Sequence, residues 1–286
     1  MGGMAALPVR IVTDSTCNLP QAILDQYAIP LVPVLVIFGR ETYREGVDIS
    51  LREFYQRVER TGEVPSASQP PPGAFAEVYA RLAQEPCQIL SIHLTGRLSG
   101  VLASARLATE LVPQADVELF DSLSVSIGLG FQVLEAARMA DAGASRAEIV
   151  ARLEQIRDRL SIFLTPATLR YLQSSGRVGR LQGALAAVLN VKPIIRCHDG
   201  LLEVVEKVRT RKGSLDRLVE LTEEALGRTD PVDVGIIHAN APEEAEELAR
   251  RVRDGLNCRQ VFVETLSLAL GAHGGPGMIG IVAYGV

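Results

Sequence analysis

Apolar positions along the chain fall into two spacings that take turns. Short unbroken runs at 9–12, 31–38, 88–94 and 117–120 read as buried strands. Between them the spacing changes to that of a helix face, as in Leu98, Val101, Leu102 and Ala105. Punctuation agrees with the periodicity. Asn18 is placed to cap a helix with Pro20 in its first turn, and Ser50 with Glu53 forms a capping box opening a helix to about Arg60. The proline-rich stretch 65–73 predicts an ordered, extended loop, followed by a helix over 74–83. A helix runs on through Met139, and Ser145 with Glu148 caps one more.

Residues 7–160 therefore alternate strand and helix, the pattern of an α/β domain with a parallel sheet and helices on both faces. From 161 to 286 the texture changes. A strand at 162–164, helical turns at 169–172 and 184–189, and a hairpin of 193–196 and 201–208 about Asp199-Gly200 come first. Helices at 214–226 and 242–255 then mix with strands at 232–238, 261–264 and 279–284. This predicts a second α/β domain with a mixed sheet. No internal repeat is present.

In open parallel sheets ligands lie beyond the carboxyl ends of the strands. Three polar turns fall there: Thr13-Asp14-Ser15, Thr95-Gly96-Arg97 and Asp121-Ser122. After the second, Ser99 stands where a helix begins, so free backbone N–H groups and the helix dipole favour an anion above it. The alternative is that Ser99 or Thr95 only caps the helix.

Charge and composition narrow the ligand. A net charge of −5 and a pI near 5.5 disfavour a nucleic-acid or anionic-membrane surface. The lack of tryptophan and the few aromatics disfavour a base-stacking platform as well. The basic cluster Lys207, Arg209, Arg211 and Lys212 reads as a solvated strand end. Cys17, Cys87, Cys197 and Cys258 are too scattered for a zinc site or a disulfide framework, which suits a reducing cytoplasm. No leader is expected at the start, and the apolar run 29–38 is too short to cross a bilayer.

Motifs for nucleotide chemistry are missing. Gly275-Pro276-Gly277-Met278-Ile279-Gly280 matches a dinucleotide fingerprint with no room for the unit that should follow it, and no P-loop occurs. His93 reads as a core residue and His198 as exposed. His273 lies in a glycine-rich stretch expected to be a loop between strands, where a backbone can approach a ligand. Ser99 and His273 could serve as nucleophile and base of a lipid-ester hydrolase, although Gly96-Arg97-Leu98-Ser99-Gly100 is not a nucleophile elbow.

Eight short motifs in order carry a resemblance: Thr13-Asp14-Ser15, Ser68-Gln69-Pro70 after Pro65, Leu98-Ser99-Gly100, Asp121-Ser122, Gly176-Arg177, Lys192-Pro193-Ile194, Val208-Arg209-Thr210, and His273 before Gly275-Pro276-Gly277. Together they resemble the bacterial DegV family over nearly the whole chain. The resemblance implies two α/β domains with a long-chain fatty acid between them. It also implies a non-catalytic role, in which the lipid is presented to a separate ATP-binding fatty acid kinase subunit that makes the acyl phosphate. A regulatory lipid-binding module is the other reading. By position, Ser99 and His273 would hold the carboxylate, joined by Ser68, Ala67, Ser66 and Thr95. Arg177 and Arg209 would lie at the head-group opening or the kinase-docking face. The chain departs from the family pattern at Ala67, where threonine is usual, and at Val101, which replaces a threonine. No cofactor or metal is implied beyond the bound fatty acid.

Overall fold

Leu35–Phe38 (β3) shows how the chain departs from its linear pattern. The apolar run 31–38 holds two strands, because Pro33 offers no N–H to a ladder and the chain leaves its first sheet there. In the computed structural model, which describes residues 7–177, 191–227 and 230–286, Leu31–Val32 (β2) stays in a parallel sheet. Its partners are Val9–Asp14 (β1), Gln88–His93 (β6) and Asp116–Asp121 (β7), in the order β2-β1-β6-β7. β3 instead pairs antiparallel with Glu41–Arg44 (β4) and with Ser66–Ser68 (β5). The proline-rich segment thus contributes a strand, with Val36 opposite Ala67 and Leu35 opposite Ser68.

The helices of this half are Gln21–Gln26 (α1), Leu51–Thr61 (α2), Pro72–Leu82 (α3), Val101–Leu111 (α4), Ile127–Asp141 (α5) and Arg146–Arg159 (α6). Both capping boxes form in full, at Ser50 with Glu53 and at Ser145 with Glu148. Asn18 does not cap α1. It sits at φ +53°, accepts from Ser126 Oγ at 2.9 Å and donates to the Thr265 carbonyl at 2.6 Å, so it bridges distant segments.

The second half forms a six-stranded mixed sheet from Ser161–Thr165 (β8), Lys192–His198 (β9), Leu201–Val208 (β10), Val232–His238 (β11), Cys258–Thr265 (β12) and Ile279–Gly285 (β13). Its order is β10-β9-β8-β13-β11-β12, and only β11 and β12 run parallel. The β9–β10 hairpin turns through Asp199 and Gly200, both at positive φ (+48° and +69°), as a two-residue hairpin turn requires. Arg170–Ser175 (α7), Arg211–Leu226 (α8), Pro242–Gly255 (α9) and Leu268–Gly274 (α10) complete this half. The helical turn expected at 184–189 lies outside the described residues.

The α5 helix packs against β1 and β6 of the parallel sheet and against β11 and β13 of the mixed one. Burial on both sides explains why residues 127–134 are all buried. It also explains Gly130, where a Cβ would lie 2.4 Å from the Cys17 carbonyl oxygen. One core runs through Val12, Ile92, Phe131, Ile237 and Tyr284, joining the two halves. A second core holds Ile194, Leu218, Val234 and Leu248. Adjacent Ile281 and Val282 of β13 face different cores, as the two-residue period of a strand dictates.

Candidate functional site

The polar turns at the strand ends mostly bind one another. Asp14, fully buried, accepts from Thr16 N at 3.0 Å and Leu94 N at 3.3 Å, and meets His93 Nδ1 at 2.9 Å. The chain continues from His93 Nε2 to Ser91 Oγ (2.7 Å) and on to the Tyr79 hydroxyl (2.8 Å). Asp121 accepts from the Gly96 and Leu123 amides, at 3.2 and 3.0 Å. These bonds satisfy groups that would otherwise be buried at a cost.

Above these turns a cavity lies between the two halves. It encloses about 900 Å³, its open mouth included. Val34, Leu94, Val101 and Val125 form its walls on one side, and Leu164, Leu202, Ile237 and Met278 on the other. Its polar groups are few: Thr16, Ser68, Gln69, Ser99, Ser126, His273 and, at the surface, Arg177. A largely apolar ligand with a polar group suits such a lining.

The structure brings together only part of the expected constellation. Ser99 lines the cavity just before α4, and its Oγ accepts from Val101 N at 3.4 Å. Ala67 and Ser68 line it because β5 presents them there. Gly100 makes that approach feasible, since a Cβ would lie 2.9 Å from the Gln69 side chain. Ser66 is exposed and stands outside the lining. Thr95 is buried elsewhere: its hydroxyl donates to the Gly200 carbonyl at 3.1 Å and accepts from Arg97 N. With the Arg97–Asp199 ion pair at 2.7 Å, it docks the β9–β10 turn.

His273 lies on a helix, not in a loop. Ser267 Oγ accepts from Leu270 N and starts α10, and two glycines let that helix pack closely. A Cβ on Gly271 would lie 2.9 Å from the Tyr55 hydroxyl, and one on Gly274 3.0 Å from Met278. Among the described residues His273 Nδ1 is buried without a hydrogen-bond partner. Burial, and then the nearby Arg177 guanidinium, lower its pKa to about 4, so the imidazole is neutral at pH 7. Arg177 is exposed at the cavity and donates to the Ser175 carbonyl at 2.8 Å. Arg209 is exposed between β10 and α8, outside the lining, and has no partner among the described residues.

Linear reading missed Gln69, Thr16 and Ser126 as lining residues, although Thr16 follows the first polar turn. It also missed Glu45, a buried carboxylate that accepts from Ser15 Oγ at 2.7 Å and from Leu268 N. Burial above all pushes its carboxyl up to about 7. Nothing marks it locally, since Arg44, Gly46 and Val47 around it are exposed.

No hydrogen bond joins Ser99 to His273 among the described residues, so the nucleophile–base contact of a serine hydrolase is not formed. Among the described residues no group of three or more His, Cys, Asp or Glu side chains could hold a metal ion, and no helix is long and apolar enough to cross a membrane.

Comparison with known proteins accords with this architecture. Residues 8–285 match the family described as "Uncharacterised protein, DegV family". Protein DegV of Bacillus subtilis is 33% identical over 274 residues, covering 96% of this chain and 98% of its own. A DegV domain-containing protein of Streptomyces coelicolor is 36% identical over 276 residues, covering 96% and 97%. Among solved structures, a fatty-acid-binding DegV family protein from Thermus thermophilus superposes with a TM-score of 0.92 at 30% identity, covering 98% of this chain and all of that one. The B. subtilis DegV structure, described as a fatty acid binding protein, gives 0.91 at 31% identity over 98% of this chain and 100% of its own. Sequence and fold thus agree over almost the full length, and the chain belongs to the DegV family.

Proposed function

We propose that this protein binds a long-chain fatty acid in the cavity and presents its carboxylate to a separate, ATP-binding kinase subunit. The observation that carries the reading is His273, whose buried Nδ1 has no partner among the described residues and lies in a mostly apolar cavity. Support comes from the Thermus and Bacillus relatives described as fatty-acid-binding proteins.

The physics divides the work between tail and head. Each CH₂ moved from water into the cavity contributes about 0.8 kcal/mol, so the tail supplies most of the affinity. The carboxylate loses hydration worth several kcal/mol unless it is paired. Ser99 and Ser68 hydroxyls and the His273 imidazole supply that pairing, and the exposed Arg177 adds positive charge at the opening. Ala67 brings no hydroxyl where the family usually has one.

In the transfer step a carboxylate oxygen attacks the γ-phosphorus of MgATP held by the partner. The bond to the β–γ bridging oxygen breaks, ADP leaves, and an acyl phosphate forms. This chain's part is to hold the nucleophile in line, and Arg209 on the outer surface serves to dock the partner.

Organic extraction and mass spectrometry of the protein purified from bacteria should find about one long-chain fatty acid per chain. Lipid-loaded protein, MgATP and a kinase subunit from the same organism should give acyl phosphate, trapped with hydroxylamine. Lipid without any acyl phosphate would leave a regulatory lipid-binding module; no lipid in repeated native preparations would refute the reading.

A further inference from the structure

Three walls of the cavity meet at one buried side chain that does not itself line it. Glu45 follows β4, and its backbone N–H donates to the Val34 carbonyl at 3.0 Å. Its carboxylate accepts from Ser15 Oγ, from Leu268 N and from the Ala269 amide. Ser15 Oγ in turn accepts from Val34 N at 3.0 Å. Thr16 beside Ser15, Val34, and Ala269 with His273 on α10 all line the cavity. One carboxylate therefore joins the turn after β1, the start of β3 and the first turn of the helix that carries His273.

We propose that Glu45 is a positioning residue for the fatty-acid head group, clamping α10 so that His273 is held toward the carboxylate. The inference rests on the proposed lipid function of the same cavity. Two physical points support it. A helix of seven residues is too short to be stable by itself, so its placement depends on contacts at its ends. His273 lies five residues beyond Leu268, about 7.5 Å along the axis at 1.5 Å per residue, so a tilt at the clamp is carried to the imidazole.

The clamp also works in its neutral form. A protonated Glu45 donates to Ser15 Oγ, which retains a free lone pair, while its carbonyl oxygen accepts from the α10 amides. Glutamine reproduces that pattern and alanine cannot. The titratable groups facing Glu45 are the Asp14 carboxylate at the end of β1 and the Cys17 thiol in the following turn, kept neutral by burial, with the Tyr55 hydroxyl of α2 nearby. Burial and Asp14 both favour the neutral acid, so ionisation falls near neutral pH. A lipid carboxylate is then opposed by ionised Glu45 at pH 8 and not at pH 6.

The test uses the full chain, delipidated, with oleate as probe, and compares wild type with Glu45→Ala and Glu45→Gln at pH 6, 7 and 8. Glu45→Ala should bind oleate roughly tenfold or more weakly, since it strands buried donors at the head of α10. Glu45→Gln should match wild type at pH 6 and bind roughly threefold tighter than wild type at pH 8, where only wild type carries the charge. Amide hydrogen exchange over 268–274, without lipid, should speed up in Glu45→Ala and stay slow in Glu45→Gln. If wild type binds no oleate, the lipid reading fails while the exchange data still judge the clamp. A folded Glu45→Ala that binds as wild type does would overturn the clamp. So would identical pH profiles for wild type and Glu45→Gln, a comparison that stands even if Glu45→Ala does not fold.

Discussion

Replacing His273 with glutamine should remove an acid sensitivity that belongs to the empty protein. The imidazole sits at a pKa of about 4 against an ordinary 6.5, because burial and then Arg177 oppose its charge. Below pH 6.5 the unfolded chain takes up this proton while the folded one does not, so stability falls as pH drops toward 4. A tenfold change in proton affinity is worth about 1.4 kcal/mol, so the gap amounts to at most ~3 kcal/mol, less whatever solvent at the cavity mouth screens. Glu45 titrates across the same range with the opposite sign. Its pKa is raised to about 7, so protonating it favours the fold as pH falls from 7 to about 4.5. The measurement must therefore be a difference: urea unfolding of delipidated wild type and His273→Gln between pH 7.5 and 4.5. Wild type should lose roughly 2–3 kcal/mol relative to the variant across that span. With fatty acid bound, the anion compensates the imidazolium, and the difference should shrink or reverse. Parallel pH curves for the two empty proteins would refute the assignment of a buried, unpartnered imidazole.

Other expectations follow from single contacts. Ser99→Ala should weaken fatty acid binding by roughly 1–3 kcal/mol at unchanged fold, read by calorimetry, because one head-group donor is lost. Ala67→Thr should leave binding unchanged or tighten it, since it returns a hydroxyl to a residue that lines the cavity. Gly200→Ala should cost about 1–3 kcal/mol in urea unfolding, for φ is +69° and its Cβ would lie 2.2 Å from Thr95 Oγ1; a neutral effect would mean the hairpin turn does not dock there. Arg209→Ala should lower acyl phosphate formation with the kinase subunit far more than it lowers lipid affinity, and equal losses would argue against a docking role.

What the amino-acid order determines here is mostly local. Ser50 with Glu53 and Ser145 with Glu148 announce their helices because a capping box closes within one turn. Asp199-Gly200 announces its hairpin because few residue pairs accept two positive φ angles. Alternation of strand and helix was enough to reveal a parallel sheet, and the placing of Ser99 at a strand-to-helix turn was readable for the same reason. What pairs across distance was not readable. Ser66 and Ser68 share one face of β5, so which of them reaches the cavity depends on how far along β3 the strand is paired, with Ser68 opposite Leu35 and Ser66 opposite Ile37. Thr95 looked like a head-group donor until the β9–β10 turn, 105 residues away, took its hydroxyl. His273 reads as part of a glycine loop until Tyr55 and Met278 show why Gly271 and Gly274 are needed inside a packed helix. Glu45 gains its role only when Leu268, 223 residues on, folds against it. Local geometry is encoded within a turn of chain, whereas a buried polar partner is chosen by which distant segments the cores bring into contact.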